Sequence, residues 1–194
     1  HINQAIAEFQ PDVIHAHHNA MALLARNAFP QTPILFLSHG IVPGLESPPS
    51  IDTGVAVFAG VSEEVATNLS QNYGVENPVI CRNGIDLERH YPLKEINKKP
   101  ENILIISNHY SNEQLALVQG ACGVLGAQLN MIGLQTQSVW DTETYINQHD
   151  IIISLGRGCL EAMACGRAVF VFDHFGGDGF ITPDNYLEIR KHNF

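Results

Sequence analysis

His15, His17, His18 and His39 stand within one short span of the chain. His15 and His17 are two residues apart, and on an extended strand that spacing sends both side chains to the same face. The strand read from Asp12-Val13-Ile14-His15-Ala16-His17 ends near His17. The next, Pro33-Ile34-Leu35-Phe36-Leu37, runs into Ser38-His39-Gly40. In a parallel sheet both ends lie on one edge, so His17 and His39 can converge. Imidazoles meeting there suit general-base chemistry or phosphate binding. His-x-His spacing also suits zinc, and polar residues satisfied by backbone at strand ends need no ligand. All three readings stay open.

A second group of chemical interest follows the apolar run Ile151-Ile152-Ile153. Ser154-Leu155-Gly156-Arg157-Gly158 is a glycine-rich turn, and Cys159 to Cys165 reads as a two-turn helix closed by Gly166. A strand, a glycine turn and a helix start form a cradle for phosphate, because free N–H groups and the helix dipole favour an anion. No Gly-Lys-Ser/Thr follows, so this is not a Walker loop, and it is a poor dinucleotide fingerprint. Glu161, just behind the turn, can accept two hydroxyl hydrogen bonds, which suits a ribose. It can equally be a first-turn acid on the helix dipole. Arg157 can meet a diphosphate bidentately or hold an acidic surface loop. Asp173, His174, Gly176, Gly177 and Asp178 lie at or beyond the end of the strand Ala168 to Phe172, in what reads as a flexible loop. Either solvent or ligand can occupy that place.

The elements that position these residues alternate. Ile2, Ala5, Ile6 and Phe9 share a helical face. Helices are read over Ala20 to Ala28, from an N-cap at Ser62 to Tyr73-Gly74, from Ser111 to about Gly123, over Val139 to Asn147, and from Thr182-Pro183 onward. Strands are read at Val55 to Ala59, Pro78 to Cys81, Asn102 to Ile106 and Gln128 to Gly133. This is an α/β chain with about four strands in each half. Between them the composition shifts at Leu93 to Glu101, which carries Lys94, Lys98, Lys99 and Pro100 and little that is apolar. It reads as a linker, giving domains 1–92 and 93–194.

The 194 residues carry 20 acidic and 10 basic side chains, a formal charge of −10. That disfavours nucleic acid and anionic membranes as broad partners. Cys81, Cys122, Cys159 and Cys165 have no CxxC spacing and lie in or beside apolar segments, as reduced thiols of a cytosolic protein do. No apolar run reaches transmembrane length.

In order and spacing, four segments resemble the retaining glycosyltransferases of the GT-B fold, glycosyltransferase family 4. They are Asp12-Val13-Ile14-His15-Ala16-His17, Ser38-His39-Gly40, and Val61-Ser62-Glu63 with Tyr73-Gly74-Val75 and Asn83-Gly84-Ile85-Asp86. The fourth is Leu160-Glu161-Ala162-Met163-Ala164-Cys165-Gly166-Arg167-Ala168-Val169. The resemblance implies two Rossmann-like lobes, the first incomplete. It implies a nucleotide-sugar donor, UDP- or GDP-linked, held in the cleft mainly by the second lobe. Glu161 would bind the ribose and Gly156, Arg157 and Gly158 the diphosphate. His17 would be the catalytic histidine, with His39, Asp173, Gly176 and Gly177 as substrate contacts. The acceptor would be a saccharide or glycoconjugate, as in polysaccharide biosynthesis. No cofactor and no metal are expected.

Two departures favour an alternative, a degenerate nucleotide-sugar-binding or scaffold protein. Ile153 stands where the family carries a carboxylate, and Ser107-Asn108-His109-Tyr110-Ser111-Asn112-Glu113 lacks its cations. A metal-dependent hydrolase built on the histidines ranks third. The chain is expected to be part of a longer protein, truncated at both ends and poorly active alone. The expected location is cytoplasmic, with peripheral contact at the inner membrane face through a missing N-terminal part. A homodimer would cover an exposed sheet edge.

Overall fold

The structure is a computed structural model. It describes residues 8–42, 44–50, 53–134, 136–174 and 176–194, so nearly all of the helix expected at Ile2 to Phe9 lies outside the described residues. The chain divides into two compact units, His1–Asn83 and Gly84–Phe194.

The first unit runs β1 (Ile14–Ala16), α1 (Asn19–Ala28), β2 (Ile34–Ser38), a 3-10 turn (Gly44–Glu46), β3 (Val57–Gly60), α2 (Glu63–Tyr73) and β4 (Val79–Ile80). Its strands form one parallel sheet in the order β1-β2-β3-β4. Helix α2 begins where the sequence places its cap. Ser62 Oγ accepts the Val65 N–H at 3.2 Å, Glu63 and Glu64 face the positive end of the dipole, and Gly74 closes it at φ 68°. The two-residue period of β2 splits the core. Ile34 and Phe36 pack with Ala16 and Ala22 on one face, while Leu37 packs with Ala59, Val61 and Val65 on the other.

The second unit runs β5 (Asn102–Ile106), α3 (Asn112–Leu125), β6 (Gln128–Ile132), α4 (Thr142–Gln148), β7 (Ile151–Ser154), α5 (Arg157–Ala164), β8 (Ala168–Asp173), β9 (Gly176–Phe180) and α6 (Tyr186–Lys191). The strand order is β6-β5-β7-β8-β9, parallel except for β9. The order reverses at β5: the chain leaves it for β6 on one side and returns to β7 on the other. Parallel sheets with six helices among the described residues make this an α/β, Rossmann-like fold.

Two local readings are corrected. Gly176-Gly177-Asp178-Gly179 is a strand, not a flexible loop, and pairs antiparallel with β8. Gly177 lies so close to β8 that a Cβ would come within 2.0 Å of the Val171 carbonyl, so only glycine permits the approach. Helix α6 starts at Tyr186 rather than at Thr182. The Thr182 N–H donates to Asn185 Oδ1 at 2.7 Å, and the Asn185 N–H donates back to Thr182 Oγ1, fixing a turn there first.

The stretch from Gly84 to Asn102 is tied into the second unit. Asn147 accepts the Leu93 N–H at 2.9 Å and donates to the Tyr91 carbonyl. Buried Asp150 accepts the N–H groups of Asn97, Glu101 and Asn102 at 2.9–3.1 Å. Burial raises the pKa of this carboxyl, but those donors outweigh it and hold it below the ordinary aspartate value.

Alternation along β5, β7 and β8 gives the sheet two apolar faces. Leu104, Ile152, Val169 and Val171 share a core with Ile146 of α4, Cys159 and Ala162 of α5, and Ile189 of α6. Ile103, Ile105 and Ile153 face the other way, where α3 supplies Val118 and Cys122. Helix α3 leaves part of this second face open. An apolar groove of about 300 Å³ runs between Leu117, Ala121 and Leu125 and the sheet residues Ile151, Phe170 and Phe180. Trp140, between β6 and α4, is 94% exposed. Among the described residues no helix is long and apolar enough to cross a membrane.

Candidate functional site

Two clusters carry the residues singled out in the sequence, one in each unit. In the first, β1 and β2 run parallel with His15 in register with Leu35, and their carboxyl ends deliver His17 and His39 to the same edge. His17 Nδ1 and His39 Nε2 are 2.7 Å apart, with stacked rings. The His15 ring lies 4.3 Å from that of His17. A hydrogen bond between two imidazole nitrogens needs one protonated and one bare nitrogen, so the pair shares a proton. Burial lowers the pKa of His39, and neighbouring histidines add to the effect while Glu46 opposes it. The pKa of His15 is lowered by burial and by His17. The backbone of His39 is fixed from below: its N–H donates to Glu46 Oε2 at 2.7 Å, and buried Ser38 donates its hydroxyl to the Glu46 carbonyl. Among the described residues no group of three or more His, Cys, Asp or Glu is arranged to hold a metal ion.

The second cluster sits at the carboxyl edge of β7, beside the point where strand order reverses. In open α/β sheets such a point is a crevice for ligands. Ser154, the last residue of β7, donates its hydroxyl to the Ile106 carbonyl at 2.9 Å and so ties β7 to the end of β5. Gly156 has φ 53° and ψ −123°, a conformation side chains avoid. Gly158 is set by packing: a Cβ there would meet Ser154 Oγ at 2.2 Å. Two of the three loop N–H groups expected to face a diphosphate are bonded within the chain. Gly156 donates to the Phe194 carbonyl at 2.9 Å and Gly158 to the Leu155 carbonyl at 3.2 Å. The Arg157 N–H, first in α5, has no backbone acceptor among the described residues.

Glu161, one turn into α5, is 8% exposed. Its Oε1 accepts from Arg157 Nε at 2.9 Å, and its Oε2 accepts from the Thr142 hydroxyl at 3.0 Å. His90, itself buried, places Nε2 3.8 Å from Oε2 and 3.4 Å from Thr142 Oγ1. Its Nδ1 pairs with the Asp86 carbonyl at 3.1 Å. Beside this, Arg89 grips Glu143 in a fork of contacts at 2.8–3.2 Å and donates to the Trp140 carbonyl.

Asp173 ends β8 on the same carboxyl edge. It is buried, its carboxylate lies 2.9 Å from His174 Nδ1, and its carbonyl accepts from Gln114 Nε2. Gly176 and Gly177 belong to the hairpin strand β9; the neighbouring strand leaves no room for a side chain at Gly177, while Gly176 has open space around it and sits at φ 104°.

The structure therefore brings together His17 with His39, and Gly156, Arg157, Gly158 and Glu161 with one another. Asp173 shares the edge of the second set. Sequence reasoning missed Glu46, His90 and Thr142. Thr142 had one signal, its place at the first turn of a predicted helix; nothing in the spacing connects His90 to Glu161.

Residues 1–89 match the family model described as Glycosyltransferase Family 4. This part of the chain is similar to glycosyltransferase family 4. The matched span contains the whole histidine cluster and its supporting Glu46. It ends at Arg89, one residue before the histidine that backs Glu161. No curated protein gives a significant match. The match supports a glycosyltransferase-type function in general terms, and the parallel sheets of both units accord with that.

Proposed function

We propose that the protein transfers a sugar, a hexose in type, from a UDP- or GDP-linked donor to a saccharide or glycoconjugate acceptor with retention of configuration. The second unit binds the donor nucleotide. One observation carries this reading: a near-buried carboxylate, Glu161, stands one turn behind a glycine loop at the strand-order reversal of a parallel sheet. A diphosphate at the loop meets the Arg157 N–H, the positive end of α5 and the Arg157 guanidinium. A ribose extending along the helix reaches Glu161. The leaving diphosphate's charge is then met by donors already in place, without a metal. His17 is assigned to the transfer step, and its shared proton with His39 equips it for acid-base work. Asp173, Gly176 and Gly177 border the donor on the same sheet edge.

The test is a panel of nucleotide sugars offered to the protein, with donor hydrolysis and transfer followed together. Consumption of one donor that ceases in His17→Ala, while calorimetry shows nucleotide binding intact, supports the assignment. A protein that binds UDP or GDP but consumes no donor supports a second reading, a nucleotide-sugar-binding protein without transfer. Ile153 favours that second reading, because it is core and carries no carboxylate toward the sugar.

A further inference from the structure

Arg157 and Glu161 are one helical turn apart on α5, and the pair is lopsided. The Arg157 side chain is 64% exposed and that of Glu161 10% exposed. The guanidinium reaches back from water to Oε1, while Thr142 and His90 close the side of Oε2. A carboxylate that is to receive ribose hydroxyls therefore has its open oxygen covered by a solvent-exposed cation of its own helix. The cation end of the pair lies in water, where its attraction is screened, so the cover is exchangeable. Thr142 and His90 are unaffected by the exchange and keep the carboxylate oriented.

We propose that Arg157 is the specificity-determining residue of this site, setting it for nucleoside diphosphates against nucleosides. In this structure Arg157 pairs with Glu161 Oε1. An incoming ribose takes its place, and the displaced guanidinium, which springs from the glycine loop itself, pairs with the diphosphate. A ligand with a diphosphate exchanges one charge-assisted contact for a stronger bidentate one. A nucleoside must displace the same contact and offers nothing in return. The inference rests on the donor-site reading above, and it makes one residue act with opposite sign on two ligands.

Calorimetric titration of uridine, guanosine, UDP and GDP into wild type, Arg157→Ala and Glu161→Ala tests it. Arg157→Ala binds the preferred nucleoside about two- to fivefold more tightly, the worth of an ion pair whose cation lies in water. It binds the matching diphosphate about tenfold or more weakly. A nucleoside detected only in Arg157→Ala supports the inference equally. Nucleoside affinity that is unchanged or falls in Arg157→Ala overturns it, while leaving the donor site standing if Glu161→Ala loses binding. If Glu161→Ala binds every ligand as wild type does, or if wild type and Arg157→Ala bind none, the donor-site reading fails and the inference with it. Arg157 lies on the surface, so the variant folds; an unchanged melting temperature verifies this.

Discussion

At Glu161 one carboxylate takes partners from three places in the sequence: Arg157 from its own helix, Thr142 from α4, and His90 from the stretch before β5. Truncation removes the acceptor from the half-buried Thr142 hydroxyl. Glu161→Ala is expected to lose about 1–3 kcal/mol of stability, measured by denaturant titration, with Glu161→Gln recovering most of it. The histidine pair makes a different prediction. The pKa of His39 is lowered in the fold, so between that value and about 6.5 the unfolded chain binds more protons. Its contribution to stability is full above that ordinary value and fades as pH falls through the lowered one. His17→Ala removes a neighbouring charge and opens the ring to water, so His39 should titrate higher in ring-proton NMR. A His39 signal that stays put in this variant contradicts that account. The meeting of His17 and His39 was legible in the sequence, because two strand ends of a parallel sheet must share an edge. The partners of Glu161 were not, because His90 and Thr142 lie on other elements and no spacing rule links them.

Among the elements, those with caps were legible. Ser62 and Ser111 mark the starts of α2 and α3, and Gly74 the end of α2 at positive φ; α3 runs past the Gly123 expected to close it and ends at Gly126, also at positive φ. The α3 start is a full capping box, Ser111 with Gln114. Strand β9 was illegible because its glycines usually signal a loop, and the close approach to β8 that Gly177 serves is a fact of neighbouring backbone rather than of local preference. The same distinction governs the loop after β7. Gly158 faces Ser154 Oγ, so Gly158→Ala should cost roughly 1–3 kcal/mol by overpacking. Combining it with Ser154→Ala should recover part of that loss, a coupling that a double-mutant cycle reads directly. Additive losses would show that the glycine serves something other than this contact. Asp150 staples the approach to β5 by accepting three backbone N–H groups. Asp150→Ala leaves those donors unmet, and about 3 kcal/mol or more should be lost at neutral pH. The loss should shrink in acid, since the wild-type carboxylate gives up its contribution as pH falls through its lowered pKa.

For the whole molecule, the division into His1–Asn83 and Gly84–Phe194 differs from the one composition suggests, because Arg89, His90, Tyr91 and Leu93 bond to α4. A polar, proline-bearing stretch looks like a linker in sequence, since its partners are backbone groups and side chains far along the chain. Residues 84–194 expressed alone should therefore be more stable than residues 93–194 by about 2 kcal/mol or more. Equal midpoints in urea would place the boundary later. Trp140 is the sole tryptophan of the chain and stands almost wholly in water. Its emission is already that of a hydrated indole in the native state, so unfolding should leave the fluorescence spectrum nearly where it began. The folding of this protein is then optically silent at that wavelength and must be followed by circular dichroism. A blue shift, when one is seen, reports that something has come to cover the β6–α4 connection.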